Sequence, residues 1–283
     1  MYFFLLDLRV LDRGYRDYWE HLVPEIRERG LLGERKEVAS DQEAMQEITR
    51  IIKQKRFQTV VVVGGDALLA CAASVAAGSG LALGYVPLGD LCAFGHRWAI
   101  SSQVGEVGDS LAARRLREVD LLKIGRSFII DHFRVGRAID PTSDNRSSRS
   151  LMVALKELLH RSRDRSAPSG PEEFRVIVER EGLEAYLISV GMMIEINRSV
   201  QTIGKQEEHF ALVSCAARSR KNLPWEQMRE DPIAVLPEVT RLHLSDCTVT
   251  FDRPVPVMLD GYRAELSGQV QFKLVPAQVK LIV

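Results

Sequence analysis

Neither sign of charge dominates this sequence: lysine and arginine together number 38, and so do aspartate and glutamate. That balance excludes a global field drawing the chain to nucleic acid or to an anionic membrane, and leaves only local patches. Cysteine is scarce and scattered, at positions 71, 92, 215 and 247, with no Cys-x-x-Cys pair. A zinc frame and a disulfide scaffold are thereby excluded, and the four read as reduced, mostly buried thiols of a cytoplasmic protein. No apolar run approaches the roughly 20 residues that span a bilayer. The opening "MYFFLLDLRV" is too short an apolar run, with an acidic residue too early, for a signal peptide. Internal repeats, long low-complexity stretches, Walker loops, nucleophile motifs and nucleic-acid signatures are all missing. Whatever chemistry the chain has must lie in a few glycine turns.

What is there is a regular alternation. The 283 residues are enough for two domains. "YFFLLD" reads as a buried strand, and residues 15–29 follow with Tyr18, Leu22 and Ile26 at helical spacing around Pro24. "KEVAS" is a short strand, after which Ser40-Asp41 caps a helix over "QEAMQEITRIIKQKR". "FQTVVVV", a helix over 66–77 and the strand "LALGYVPL" complete the pattern. Strands apolar on both faces, separated by helices, predict a Rossmann-like parallel sheet covered by helices. From about residue 119 the pattern becomes alternating strands with tight turns, interrupted by one helix at "SLMVALKELLHRSRD" and the loop "RSAPSGPEE". The expected fold is therefore α/β: a nucleotide-binding-like domain over 1–118, then a mostly antiparallel β-sandwich over 119–283.

Two turns carry the site residues. The valine run stops at Gly64-Gly65-Asp66, where a helix opens; the next strand stops at Pro87-Leu88-Gly89. Glycines after a parallel strand let backbone N–H groups approach a phosphate, and a helix N-terminus favours its charge. The same residues serve equally as a tight turn with a helix-start carboxylate. Near the C-terminus Asp260-Gly261, between "VPVML" and "YRAEL", is a strong hairpin signal. "GSGLALG" at 78–84 only imitates a dinucleotide fingerprint, since its third glycine is displaced and it precedes a strand.

In this order and spacing the pieces resemble the diacylglycerol kinase and sphingosine kinase-like lipid kinases, relatives of the NAD kinases. The family pattern is Gly-Gly-Asp-Gly-Thr after a strand, a Pro-Leu-Gly-Thr-Gly-Asn-Asp loop, and an Asp-Gly-Glu in a β-rich second domain. The resemblance spans essentially the whole chain. It implies an ATP-dependent lipid kinase with ATP and Mg²⁺ as cofactors. Gly64, Gly65, Asp66, Pro87 and Gly89 would contact the nucleotide, Asp66 would hold the metal, and Asp66 and Asp260 would be the catalytic carboxylates.

The departures fall on those same elements. The phosphate loop that follows the family's first strand, Asn-Pro-x-Ser-Gly, is replaced by "DLRVLDRG". Ala67 and Leu68 stand for Gly and Thr, and the alanine methyl would be strained if that backbone needs positive φ. "PLGDLCAF" puts Asp90 at the Thr position, Cys92 at Asn and Ala93 at Asp, while Tyr262 replaces the last Glu. With the hydrophobic scaffold intact and the site residues changed, the expected function is a non-catalytic, pseudokinase-like binding or assembly role. The alternatives are an active lipid kinase acting on a diacylglycerol-like or long-chain-base hydroxyl, and an NAD kinase-like activity. An Asp66, Asp90, Asp260 metal cluster would need the loop to take another path. His96 reads as a partly buried loop residue. The basic loop "SCAARSRKNLPW", with Arg218, Arg220, Lys221 and Trp225, reads as solvated, with peripheral membrane contact as the alternative. The partners left open are a lipid or small molecule in the interdomain cleft and a second copy in a homodimer; no nucleic acid is expected.

Overall fold

The protein is described by a computed structural model covering residues 1–89, 92–125, 127–136, 174–189, 191–196, 210–215, 239–260 and 262–283. The chain divides into two compact units. The first takes Met1–Leu121 and Pro276–Val283, and the second takes the described residues between Leu122 and Val275. The expected helix and loop over 150–173 and the basic loop beyond Cys215 lie outside the described residues.

In the first unit, strands β1 (Tyr2–Asp7), β2 (Gly33–Val38), β3 (Thr59–Gly64) and β4 (Ala82–Pro87) pair in parallel in the order β2-β1-β3-β4. All six residues of β3 and β4 are buried, as the unbroken apolar runs predict for strands covered on both faces. Helix α1 (Leu8–Val10), a π-helical turn (Leu11–Tyr15) and helix α2 (Arg16–Glu28) connect β1 to β2. Alternation along β1 sends Phe4 and Leu6 to the face where α2 presents Trp19, Leu22 and Ile26. Pro24 sits within α2. Helix α3 (Asp41–Gln54) begins as its cap predicts: Glu43 N–H donates to Ser40 Oγ at 3.2 Å, and Glu43 Oε2 accepts from Ala39 N–H at 3.0 Å. Helix α4 (Asp66–Ala76) follows β3, short helix α5 (Ala93–Arg97) follows β4, and α6 (Val104–Ala113) packs against α2.

The second unit is antiparallel. Strand β5 (Leu116–Ile124) leads into it, followed by β6 (Ser127–Ile129), β7 (His132–Gly136), β8 (Phe174–Arg180), β9 (Leu183–Ser189), β10 (Gly191–Glu195), β11 (Phe210–Cys215) and β12 (Val239–Leu244). The two longest strands, β13 (Asp246–Leu259) and β14 (Tyr262–Ile282), form a ribbon. A register shift between Phe251 and Val255 divides β13. Its first half pairs with β8 and its second half with β7, so one strand serves two layers, the device by which sandwiches turn their corners. Phe133, Phe174, Phe210, Phe251 and Phe272 fill the core between them. From Pro276 onward the end of β14 belongs to the first unit, where Lys280 and Leu281 pair in parallel with Ala82 and Leu83 of β4.

Cys71, Cys92 and Cys247 are buried free thiols. Burial, with the nearby Asp41 charge, pushes Cys71 up to about 12; burial, with Asp246, pushes Cys247 up to about 12. A folded-state value raised above 9.0 keeps the neutral thiol in the native protein. The resulting stability is complete below pH 9.0 and is lost as the pH rises toward about 12. At pH near 8 neither thiol is expected to react with a maleimide in the native chain, and both are expected to react in denaturant. Peptide mapping of the labelled cysteines checks this; fast native labelling of either would contradict it.

Candidate functional site

The order β2-β1-β3-β4 makes the sheet doubly wound. The chain leaves β1 toward one side and β3 toward the other, so the crevice outside their carboxyl ends is the topological switch point where α/β sheets take ligands. Gly64 ends β3 there, and Asp7 ends β1. A Cβ on Gly64 would fall 2.8 Å from Asp7 Cβ, so glycine is required for the two strand ends to come this close.

The Asp7 carboxylate, only 4% exposed, accepts at Oδ1 from the Arg9 N–H (3.0 Å) and from Arg9 Nε (2.8 Å), and at Oδ2 from Arg9 Nη2 (2.9 Å). Arg9 Nη2 also donates to Asp41 Oδ1 at 2.9 Å. Asp41, 1% exposed, lies in the first turn of α3, where the helix N-terminus favours its charge. Burial opposes the Arg9 charge, yet the hydrogen bonds and charges of Asp7 and Asp41 outweigh it and raise the Arg9 pKa. A triad of two buried carboxylates and one half-buried guanidinium thus stands at the switch point. Among the described residues Asp41 Oδ2 has no hydrogen-bond partner. Sequence reasoning gave Asp41 only a place in the helix cap and assigned no role to Asp7 or Arg9. The only local signal was the Asp-x-Arg spacing in "DLRV", an arrangement that lets one side chain fold back on the other.

Asp66 opens α4. Its Oδ1 accepts from the Tyr85 hydroxyl at 2.8 Å and its Oδ2 from the Phe94 N–H at 2.9 Å. The first contact ties α4 to β4, and the second satisfies one of the orphan donors at the start of α5. Burial and the Asp66 and Cys92 charges hold the Tyr85 phenol well above its ordinary pKa, so it is a neutral donor here. Tyr85 also lies edge-on to Phe94, and Phe94 stacks on Trp98 at 5.3 Å. Gly65 is the N-cap residue of α4 in extended conformation. Ala67 lies inside α4 with no positive φ, so its methyl group carries no strain. Leu68 is fully buried and approaches Gly64: the side chain at the family's hydroxyl position belongs to the core.

Pro87 ends β4 opposite Gly64, and the Leu88 N–H donates to Gly64 O at 3.0 Å. Gly89 has φ +103°, a conformation only glycine adopts readily, with the Val10 methyls 3.6 and 3.7 Å from where its Cβ would be. Gly64, Gly65, Asp66, Pro87 and Gly89 therefore lie at neighbouring strand and helix ends, with Asp7 beside Gly64 and Val10 beside Gly89. Asp90 lies outside the described residues. Among the described residues no group of three or more His, Cys, Asp or Glu side chains is placed to hold a metal. His96 is exposed on α5 instead of partly buried in a loop.

Asp260 belongs to the second unit. Leu259 pairs with Tyr262, so Asp260 opens the tight turn between β13 and β14, and it has φ 45°. Its carboxylate is 3% exposed and accepts from Ile130 N–H at 2.8 Å and Asp131 N–H at 3.0 Å. The residue that the resemblance makes a catalytic carboxylate thus staples the β13–β14 hairpin to the turn after β6. Tyr262, at the Glu position, is buried.

Residues 13–124 match the family model of the diacylglycerol kinase catalytic domain. No curated protein matches the chain. Among solved structures it is similar to a diacylglycerol kinase from Bacillus anthracis str. Sterne, with TM-score 0.70 and 11% identity over 99% of this chain and 96% of that one. It is also similar to an NAD kinase from Archaeoglobus fulgidus in complex with ATP, with TM-score 0.53 and 11% identity over 100% and 94% of the two chains. At such identities these likenesses speak for the fold. Among the described residues no helix is long and apolar enough to cross a membrane.

Proposed function

We propose that this chain, whose residues 13–124 match the diacylglycerol kinase catalytic domain and whose fold is similar to that of a diacylglycerol kinase and an NAD kinase, does not transfer phosphate. The role left to the scaffold is binding or assembly, with a lipid or other small hydroxyl compound as the ligand class the family suggests. One observation carries this reading: the Asp7–Arg9–Asp41 triad at the switch point. A crevice that holds a triphosphate needs backbone donors and uncommitted cations. Here the guanidinium is spent on two internal carboxylates, and the triad keeps a net negative charge that opposes a polyphosphate. Asp66 directs both oxygens to protein donors, and Leu68 gives its side chain to the core. These residues do not suit Mg-ATP.

The test is labelled-phosphate transfer from ATP to diacylglycerol and to a long-chain base, with the parent chain and Asp66→Ala side by side, plus thermal denaturation with Mg-ATP. No transfer and no shift in midpoint are expected. A ligand at a hundredfold excess over its Kd adds about 2.7 kcal/mol to stability, so genuine binding would be visible. Transfer by the parent that disappears in Asp66→Ala would instead make the protein an active lipid kinase with Asp66 on the metal.

A further inference from the structure

Six large apolar side chains are markedly exposed among the described residues, and three of them, Leu183 (77%), Tyr186 (71%) and Ile188 (55%), lie on β9. Among the described residues β9 pairs only with β8, which leaves its other backbone edge open. Exposed edges are usually guarded by a lysine, a proline, a bulge or an inward charge. In "LEAYLIS" there is none of these; its one charge, Glu184, sits near the start and points outward. Beyond the edge the outward face is mixed: Ile177 of β8 stands opposite Tyr186, flanked along β8 by Arg175 and Glu179, and Thr250 of β13 stands opposite Ile177. Inward, Ala185 and Leu187 pack on the core. An unprotected, half-apolar edge of this kind is a template for strand addition.

We propose that two copies of the chain associate by antiparallel pairing of β9 with β9 about a two-fold axis. Two-fold symmetry and the period-2 alternation leave few registers. Centring on Ala185 sets Tyr186 against Glu184 of the second copy. Centring on Tyr186 sets Glu184 against Ile188, so in both a carboxylate meets an apolar or aromatic side chain. Centring on Leu187 sets Tyr186 against Ile188 twice, an aromatic with a β-branched residue, which is a favourable cross-strand pair. It also carries the outward row Thr250–Ile177–Tyr186 on into Ile188 and then Arg175 of the second copy. Glu179 and Glu184, opposite each other in one row, then fall at the two far ends of the joint, away from their symmetry mates. The distribution of charge and apolar surface selects this last register. The pairing is independent of whether the switch point handles nucleotide.

Sedimentation velocity of the full chain across a concentration series is expected to show a monomer–dimer equilibrium. Tyr186→Lys with Ile188→Lys, both at exposed positions, should weaken it by roughly tenfold or more while leaving the circular dichroism spectrum unchanged. Register is read by oxidative cross-linking: Leu187→Cys, on the axis, should give a covalent dimer, whereas Ala185→Cys should not. A chain that stays monomeric at every concentration overturns the proposal, as does cross-linking through Ala185→Cys alone. Monomeric chain that floats with diacylglycerol-containing vesicles, and loses this in the double lysine variant, would overturn it by assigning the face to a bilayer.

Discussion

Replacing Arg9 with methionine is expected to destabilise the protein by about 3–5 kcal/mol. The magnitude follows from what is left behind. Asp7 and Asp41 are 4% and 1% exposed, and without the guanidinium both are buried carboxylates with no cation between them. Removing one partner of a buried pair costs more than the pair contributes, because water cannot re-solvate the survivor. The corollary separates this account from simple loss of packing. Adding Asp7→Asn and Asp41→Asn to Arg9→Met should recover much of the deficit, since the uncompensated charges go. Urea denaturation of the three proteins measures both quantities. A single variant within about 0.5 kcal/mol of the parent, the range of ordinary surface changes, would mean that the triad does not hold the switch point together.

Asp260→Ala is expected to cost the second unit about 2–5 kcal/mol, from two buried N–H groups left without acceptors and from the unfavourable φ at the hairpin. Asp260→Asn should cost about half as much, because asparagine tolerates left-handed backbone and keeps one acceptor oxygen. This ordering distinguishes a staple from a base. A staple gives graded losses of stability; a proton acceptor would give two variants equally inactive toward any acceptor hydroxyl, whatever their stability. Chemical denaturation of both variants decides it, and an alanine variant as stable as the parent would remove the staple.

How much of this was legible beforehand depends on whether the signal was local. β1, β3 and the start of α3 were plain, because unbroken apolar runs and a Ser-Asp cap act within a few residues. The order of the glycine turns was plain as well, and with it the likeness to the diacylglycerol kinase catalytic domain over residues 13–124. Arg9 was not. A charged residue after a strand reads as solvated, and its second partner, Asp41, lies 32 residues away. The two meet only because β1 and β2 pair in register from Tyr2↔Gly33 to Asp7↔Val38, which sets the end of one strand beside the start of α3. The strain expected at Ala67 is absent for a similar reason: the backbone there is already helical, which the residue type could not tell. Asp66 was correctly seen as a helix-start carboxylate, yet Tyr85 and Phe94 reach it only through the packing of β4 and α5.

The return of β14 to the first unit also governs the order of assembly at the ribosome. The strand that flanks β4 is translated only after the whole of the second unit. During synthesis the sheet of β2-β1-β3-β4 therefore waits with the flank of β4 bare, while the intervening hundred and fifty or so residues emerge and fold. The nascent chain is most open to misassociation along β4, and it stays so until the end of β14 has emerged to pair with it.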